Sequence, residues 1–273
     1  MTAATALPAP PATERHRADF TNLVRAEFIK LRTVRSTYWT LLIAFTANIG
    51  FAVVAASAIA PRLSAHDRDQ IDVVQLALAG IHLSQIAYGV LGALTITGEY
   101  GSGMIRATFA ATPRRRALLT AKALVFTGVT LVTATVSAFV AYLAFDAALP
   151  ANTLSGTALS DPGIARAVAG GGLYLTALGL LGFGLGVVLR SSAGAIATVF
   201  GVLFVPPLLL DLLPGSWKDA VGPAVPMQAG TQVYVAVRHE TAALAPWTAF
   251  AVFCAYTAAA LLAGFLLVNR RDA

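Results

Sequence analysis

ALVFTGVTLVTATVSAFVAYLAF, residues 123–145, runs for 23 positions without a charged side chain and follows directly on the densest basic stretch of the chain, Arg106 to Lys122. At a rise of about 1.5 Å per residue such a run crosses a hydrocarbon core of about 30 Å as a helix, the form that satisfies every backbone N–H and C=O internally. Five more apolar runs flank it, at residues 39–60, 73–97, 167–189, 195–213 and 246–268. A transmembrane barrel would show segments of about ten residues with alternating polarity, and these runs are longer and uniformly apolar. The expectation is an all-α membrane protein with six transmembrane helices.

Composition agrees. The chain is 57% hydrophobic and 12% charged, far from the roughly 25% charged residues of soluble domains. With a cytoplasmic N-terminus, the inner segments hold Arg15, Arg17, Arg25, Lys30, Arg32, Arg35, Arg106, Arg114, Arg115, Arg116, Lys122, Arg190, Arg270 and Arg271, which are 14 of the 19 basic residues. This bias predicts both termini on the cytoplasmic side. Anionic lipid on the inner leaflet then accounts for the net charge of +6, and no nucleic-acid partner is expected. Sixteen Arg against three Lys, with abundant Ala, points to a GC-rich bacterial genome and hence a bacterial cell membrane.

Residues 1–18 lack the apolar core of a secretory signal and read as a disordered cytoplasmic tail. The single cysteine, Cys254, lies in the sixth run, excludes an intrachain disulfide, and reads as a small buried hydrophobe. Residues 19–35, DFTNLVRAEFIKLRTVR, carry Phe20, Leu23, Val24, Phe28, Leu31 and Val34 at helical spacing, with Arg25, Ile29 and Arg32 opposite. This is an amphipathic helix suited to the membrane interface. Glu27 falls in its apolar sector and is expected to pair with Lys30 or with a basic residue of the bundle. Residues 36–273 are expected to form one six-span transmembrane domain.

In the second run His82, Gln85, Gly89, Gly92, Ile96 and Glu99 alternate by three and four, so small and polar groups make one seam facing protein or a wet cavity. Asn48 in the first run is a second polar group of this kind. His82, Gln85 and Asn48 either bond between helices or line a substrate pathway. The following segment, EYGSGMIRATFAATPRRRALLTAK at residues 99–122, is read as helix, turn, short helix, turn, helix: Gly101 and Gly103 permit a sharp exit, residues 102–111 form the short helix, and Thr112-Pro113 caps the next.

These features resemble the type-2 ATP-binding-cassette (ABC) permease family. The likeness rests on the N-terminal helix LVRAEFIKLRTVRS, the six runs, and the loop from Glu99 through Gly101, Gly103, Met104, Ile105, Arg106 and Phe109 to Lys122. The family often has Thr where Met104 stands. The resemblance implies a coupling helix within residues 101–112 that docks on a separate ATPase subunit. It also implies a connecting helix at residues 19–35 bearing Arg25, Glu27, Lys30 and Arg32, and a second copy or a paralogue across a central pathway. ATP and Mg would then sit on the partner, with no cofactor, catalytic residue or metal site in this chain.

Two further features agree with the resemblance. Pro206-Pro207 is expected to interrupt the fifth helix, and the Pro-rich apolar connector to about residue 245 resembles the family's re-entrant helices. Gly182 and Gly186 have the GxxxG spacing of close helix approach. No G-x-x-x-x-G-K-[ST] loop, HExxH motif or Cys/His cluster occurs, so the chain by itself does not hydrolyse ATP. The competing class is a stand-alone secondary transporter or channel with His82 and Glu99 as a proton relay.

Overall fold

The computed structural model describes residues 12–105, 114–151, 153–154, 158–212, 214–236 and 244–268, and every regular element among them is helical. The first helix, α1 (Ala12–Thr33), starts earlier than expected and takes in residues 12–18, which the sequence reading assigned to a disordered tail. Those positions are polar and show no apolar stripe, so periodicity did not report a helix there. Val34 is extended, with φ −78° and ψ 111°, and separates α1 from α2 (Arg35–Val54). That helix continues through a π turn at Ala55–Ile59 and a 3-10 turn at Ala60–Arg62. Pro61 has no N–H to give to Ser57, and the helical geometry changes around it.

The second predicted run is divided. A short helix α3 (Ala65–Gln70) is capped by Ser64, and α4 (Val73–Ala77) is capped by Asp72, whose Oδ1 accepts from the N–H groups of Val74 and Gln75 at 3.0 Å. A turn then leads to α5 (Ile81–Gly101). The remaining long helices are α6 (Arg115–Ala148), α7 (Ile164–Leu189) and α8 (Ser192–Leu210). Two short ones, α9 (Gly215–Val221) and α10 (Pro226–Thr231), precede α11 (Pro246–Leu267). Among the described residues five helices are long and apolar enough to cross a membrane: Arg35–Arg62, α6, α7, α8 and α11. Helix α5, which carries His82, Gln85 and Glu99, is not among them.

Helix α7 is the hub, buried over most of its length and packed against α5, α6, α8 and α11. Its contact with α5 depends on glycine on both sides. A Cβ at Gly92 would fall 1.9 Å from the carbonyl oxygen of Gly179, and one at Gly182 would fall 2.3 Å from that of Gly89. Backbone therefore meets backbone, and the small-residue seam of α5 joins the glycine pattern of α7. The peripheral helices expose large apolar side chains, including Leu42, Ile43, Val132, Leu208, Leu262 and Leu266. A surface of that kind is matched to hydrocarbon.

Contrary to expectation, Pro206 and Pro207 do not interrupt α8, which runs through both to Leu210. Beyond it, residues 225–235 turn inward, where Tyr234 and Phe253 pack on Tyr174 with ring centroids 5.9 and 5.4 Å away. The Arg166 guanidinium donates to the carbonyls of Val233 at 3.3 Å and Val235 at 2.6 Å, and Asp72 Oδ2 accepts from the Ala236 N–H at 2.7 Å. The connector is thus fastened to α7 and α4.

Candidate functional site

The C-terminal end of α5, the N-terminal end of α6 and the C-terminal part of α1 converge on four charged side chains. Lys122 Nζ donates to Glu27 Oε2, and to Glu99 Oε1 at 2.8 Å. Lys30 Nζ donates to the same Glu99 Oε1 at 2.8 Å and to Glu27 Oε1 at 3.1 Å. Glu27, Glu99 and Lys122 are all more than nine-tenths buried, and Lys30 retains a third of its side-chain exposure. Two positive and two negative groups leave the quartet neutral, which is the condition for keeping charges out of water. Burial pulls the Lys30 ammonium down, but the bond to Glu99 and the charge of Glu27 outweigh it and hold the group above its ordinary value.

The quartet fixes both roots of the basic loop to α1. Glu99 precedes the loop, Lys122 follows it, and Glu27 and Lys30 belong to the amphipathic helix. The expected pairing of Glu27 with Lys30 is present, joined by Lys122 as the basic partner from the bundle. Nothing in the local pattern of α6 marked Lys122 for this role. The available signal was the pair of buried acids, which required a second cation.

The other loop residues separate. Gly101 closes α5, and Gly103 follows at φ +71°, a left-handed turn that a side chain would strain. Met104 is half exposed, whereas Ile105 is 3% exposed and faces Leu118, Leu119 and Val268. Ile105 therefore packs the start of the loop against the bundle. Arg106, Phe109 and the Thr112-Pro113 cap lie outside the described residues. Helix α6 starts at Arg115, with Arg114 in the N-cap position. Arg25 and Arg32 are exposed on α1, as their place opposite the stripe requires. Phe28 is 46% exposed, so protein covers the apolar stripe incompletely.

Asn48 and Gln85 are fully buried and bond between helices: Asn48 Nδ2 donates to Ser137 Oγ at 3.2 Å, and the Tyr174 hydroxyl donates to Gln85 Oε1 at 2.6 Å. His82 departs from the seam and lies on an exposed side of the first turn of α5. It stands 17 residues from Glu99, a rise of about 25 Å along the helix, so the two side chains are not in contact. No group of three or more His, Cys, Asp or Glu suited to a metal occurs among the described residues.

Membrane-length helices around a glycine-packed hub, with a charged joint at the root of a basic loop, define a multi-pass membrane protein of the transporter class. The family model described as ABC-2 family transporter protein matches residues 23–212, from α1 to the end of α8. The chain belongs to the ABC-2 type permease family, whose members are membrane subunits of ABC transporters. Among curated proteins no match is found.

Proposed function

We propose that this chain is the permease subunit of an ATP-driven exporter and that the Glu27–Lys30–Glu99–Lys122 quartet transmits the motion of a separate ATPase subunit into the bundle. The observation that carries this reading is the junction itself: one neutral, buried cluster holds both ends of the loop and the interfacial helix as a single unit. Docking of the ATPase on the loop around Met104 moves Glu99 and Lys122 together. Helices α5 and α6 then follow as rigid bodies, because breaking the cluster to let one move alone would strand a buried charge. By linkage, substrate bound between the helices alters nucleotide affinity in return.

In this reading α5 is the sixth span, tolerating its polar side chains because α7 and α2 shield it from lipid. The inward segment at residues 225–235 is the re-entrant element. Both termini are cytoplasmic, the membrane is the bacterial inner membrane, and the second half of the transporter is another copy of the chain or a paralogue. The partner carries ATP and Mg. The apolar character of the bundle favours a drug, antibiotic, peptide or lipid-like substrate moved outward.

The test is Met104→Asp in the assembled transporter. ATP-dependent transport is expected to fall at least about tenfold, the effect of a local loss near 1.4 kcal/mol, while the protein stays inserted and folded. Undiminished ATP-driven transport in this variant would remove the assignment of the loop as the ATPase contact.

A further inference from the structure

Only Arg190 and Ser191 separate α7 from α8. Arg190 sits at φ 54° and ψ 16°, and it is the single non-glycine residue with positive φ among those described. Its N–H still closes α7 on the Gly186 carbonyl at 2.9 Å. A left-handed position at a helix C-terminus ordinarily takes glycine, and a residue with a Cβ is strained there.

Both sides of this turn are tied to one face of α5. The Arg190 guanidinium lies over the Tyr100 ring, 5.1 Å from its centroid. The Ser192 hydroxyl donates to Thr97 Oγ1 at 2.8 Å, and the Thr97 hydroxyl donates in turn to the Ala93 carbonyl at 2.9 Å. Thr97 and Tyr100 share a face of the helix at i, i+3 spacing. Between the two ties, Ser191 Oγ accepts from the Gly194 N–H at 3.3 Å and starts α8. One turn back, Gly186 meets α5 so closely that a Cβ would fall 2.5 Å from Ile96 Cγ2. Tyr100 also packs on the small apolar cluster of Ile96, Leu119, Phe183, Val187 and Val268, which joins these ends of α5, α6 and α7.

Stability alone does not explain an arginine here. A cation over an aromatic ring at a partly exposed site stabilises by no more than the strained backbone costs, so glycine at 190 would leave the fold at least as stable. The quartet, for its part, joins α1, α5 and α6 and includes no residue of α7 or α8. Tyr100 directly follows Glu99, so the ring under Arg190 belongs to the neighbour of a quartet member.

We propose that Arg190 is a positioning residue that extends the joint to the hub: seated on Tyr100, it makes the α7–α8 turn follow the root of the loop when the ATPase moves it, a role that rests on the chain being an ATP-driven permease. The quartet moves α5 and α6. Arg190, steadied by the bond from Ser192 to Thr97, brings α7 and α8 with them.

The complex of the chain with its ATPase, in lipid nanodiscs, is compared without nucleotide and after trapping with ATP and vanadate. Amide exchange is read at residues 98–105, the root of the loop, and at residues 187–195, the turn. In the parent, trapping is expected to change exchange at both places. Arg190→Gly is expected to keep the change at 98–105 and to unfold at no lower temperature than the parent. Its change at 187–195 should shrink about two- to fivefold, the worth of one cation–π contact at a partly exposed site. Tyr100→Leu keeps an apolar side chain on the cluster and removes the ring, so the same selective loss is expected, and Arg190→Lys should restore most of the response.

A full change at 187–195 in either Arg190→Gly or Tyr100→Leu overturns the proposal. Failure of Arg190→Gly to fold, or a lower unfolding temperature with loss at both places, makes Arg190 a structural residue and overturns it as well. A parent that responds at 98–105 alone sinks the proposal and leaves the ATP-driven permease standing, whereas a parent that responds at neither place sinks both.

Discussion

Replacing Lys122 by methionine keeps the length of the side chain and removes its charge, which isolates the electrostatic role of the quartet. The ammonium is 4% exposed and serves two acceptors, Glu27 Oε2 and Glu99 Oε1. Without it the cluster carries net charge −1, and its remaining cation, Lys30, lies one-third open to solvent. Breaking a buried pair by removing one partner costs about 3–5 kcal/mol. Neutrality returns when Glu27→Gln is added, because Glu99 and Lys30 then balance, and the double variant should recover about 1–3 kcal/mol relative to the sum of the single variants. The assay is reversible unfolding in mixed micelles for the parent, both single variants and the double variant, with amide exchange across α1 as a second readout. Lys122→Met should raise exchange in α1, since that helix loses its bond to α6. Single variants within about 0.5 kcal/mol of the parent, or strict additivity in the double, would refute the claim that the four groups act as one joint.

Three further outcomes follow from the packing. Gly182→Leu forces a side chain into the backbone of α5, where a Cβ alone would sit 2.3 Å from the Gly89 oxygen, and should lose several kcal/mol or fail to assemble; normal yield and stability would show that the two helices separate freely. Gln85→Leu leaves the buried Tyr174 hydroxyl without its acceptor and should cost about 1–3 kcal/mol, whereas His82→Leu at an exposed position should stay within about 0.5 kcal/mol, both read from thermal unfolding in detergent. The stabilisation from Lys30 is fully present below its unfolded value near 10.5 and is lost as pH rises through the higher folded value; an alkaline unfolding titration should show this limb in the parent and not in Lys30→Met.

The long apolar runs were legible because each is decided by its own residues. The run at 123–145 lies within α6, that at 167–189 within α7, and that at 246–268 matches α11 to within a residue. Features set by contact between distant segments were not legible. The break before α5 occurs where Gly80 comes against the backbone of Asn48, a contact with no local signature. Pro206 and Pro207 stay helical although local chemistry argues for a break. At the site, the misplacement of Glu27 in an apolar sector predicted a partner but could not choose Lys122. The burial of Ile105 beside an exposed Met104 was also hidden, since two adjacent apolar residues in a loop read alike.

The central claim is that a separate ATPase drives this permease through the loop between α5 and α6, and co-purification from the native membrane tests it most directly. The chain is isolated, its stoichiometric companions are identified, and ATP hydrolysis by the complex is measured with the parent and with Met104→Asp. The account predicts an ATP-binding-cassette subunit in stoichiometric amount, cross-linked to the chain near Met104 and released by the substitution. A lone oligomer without ATPase activity, transporting independently of ATP, would contradict it.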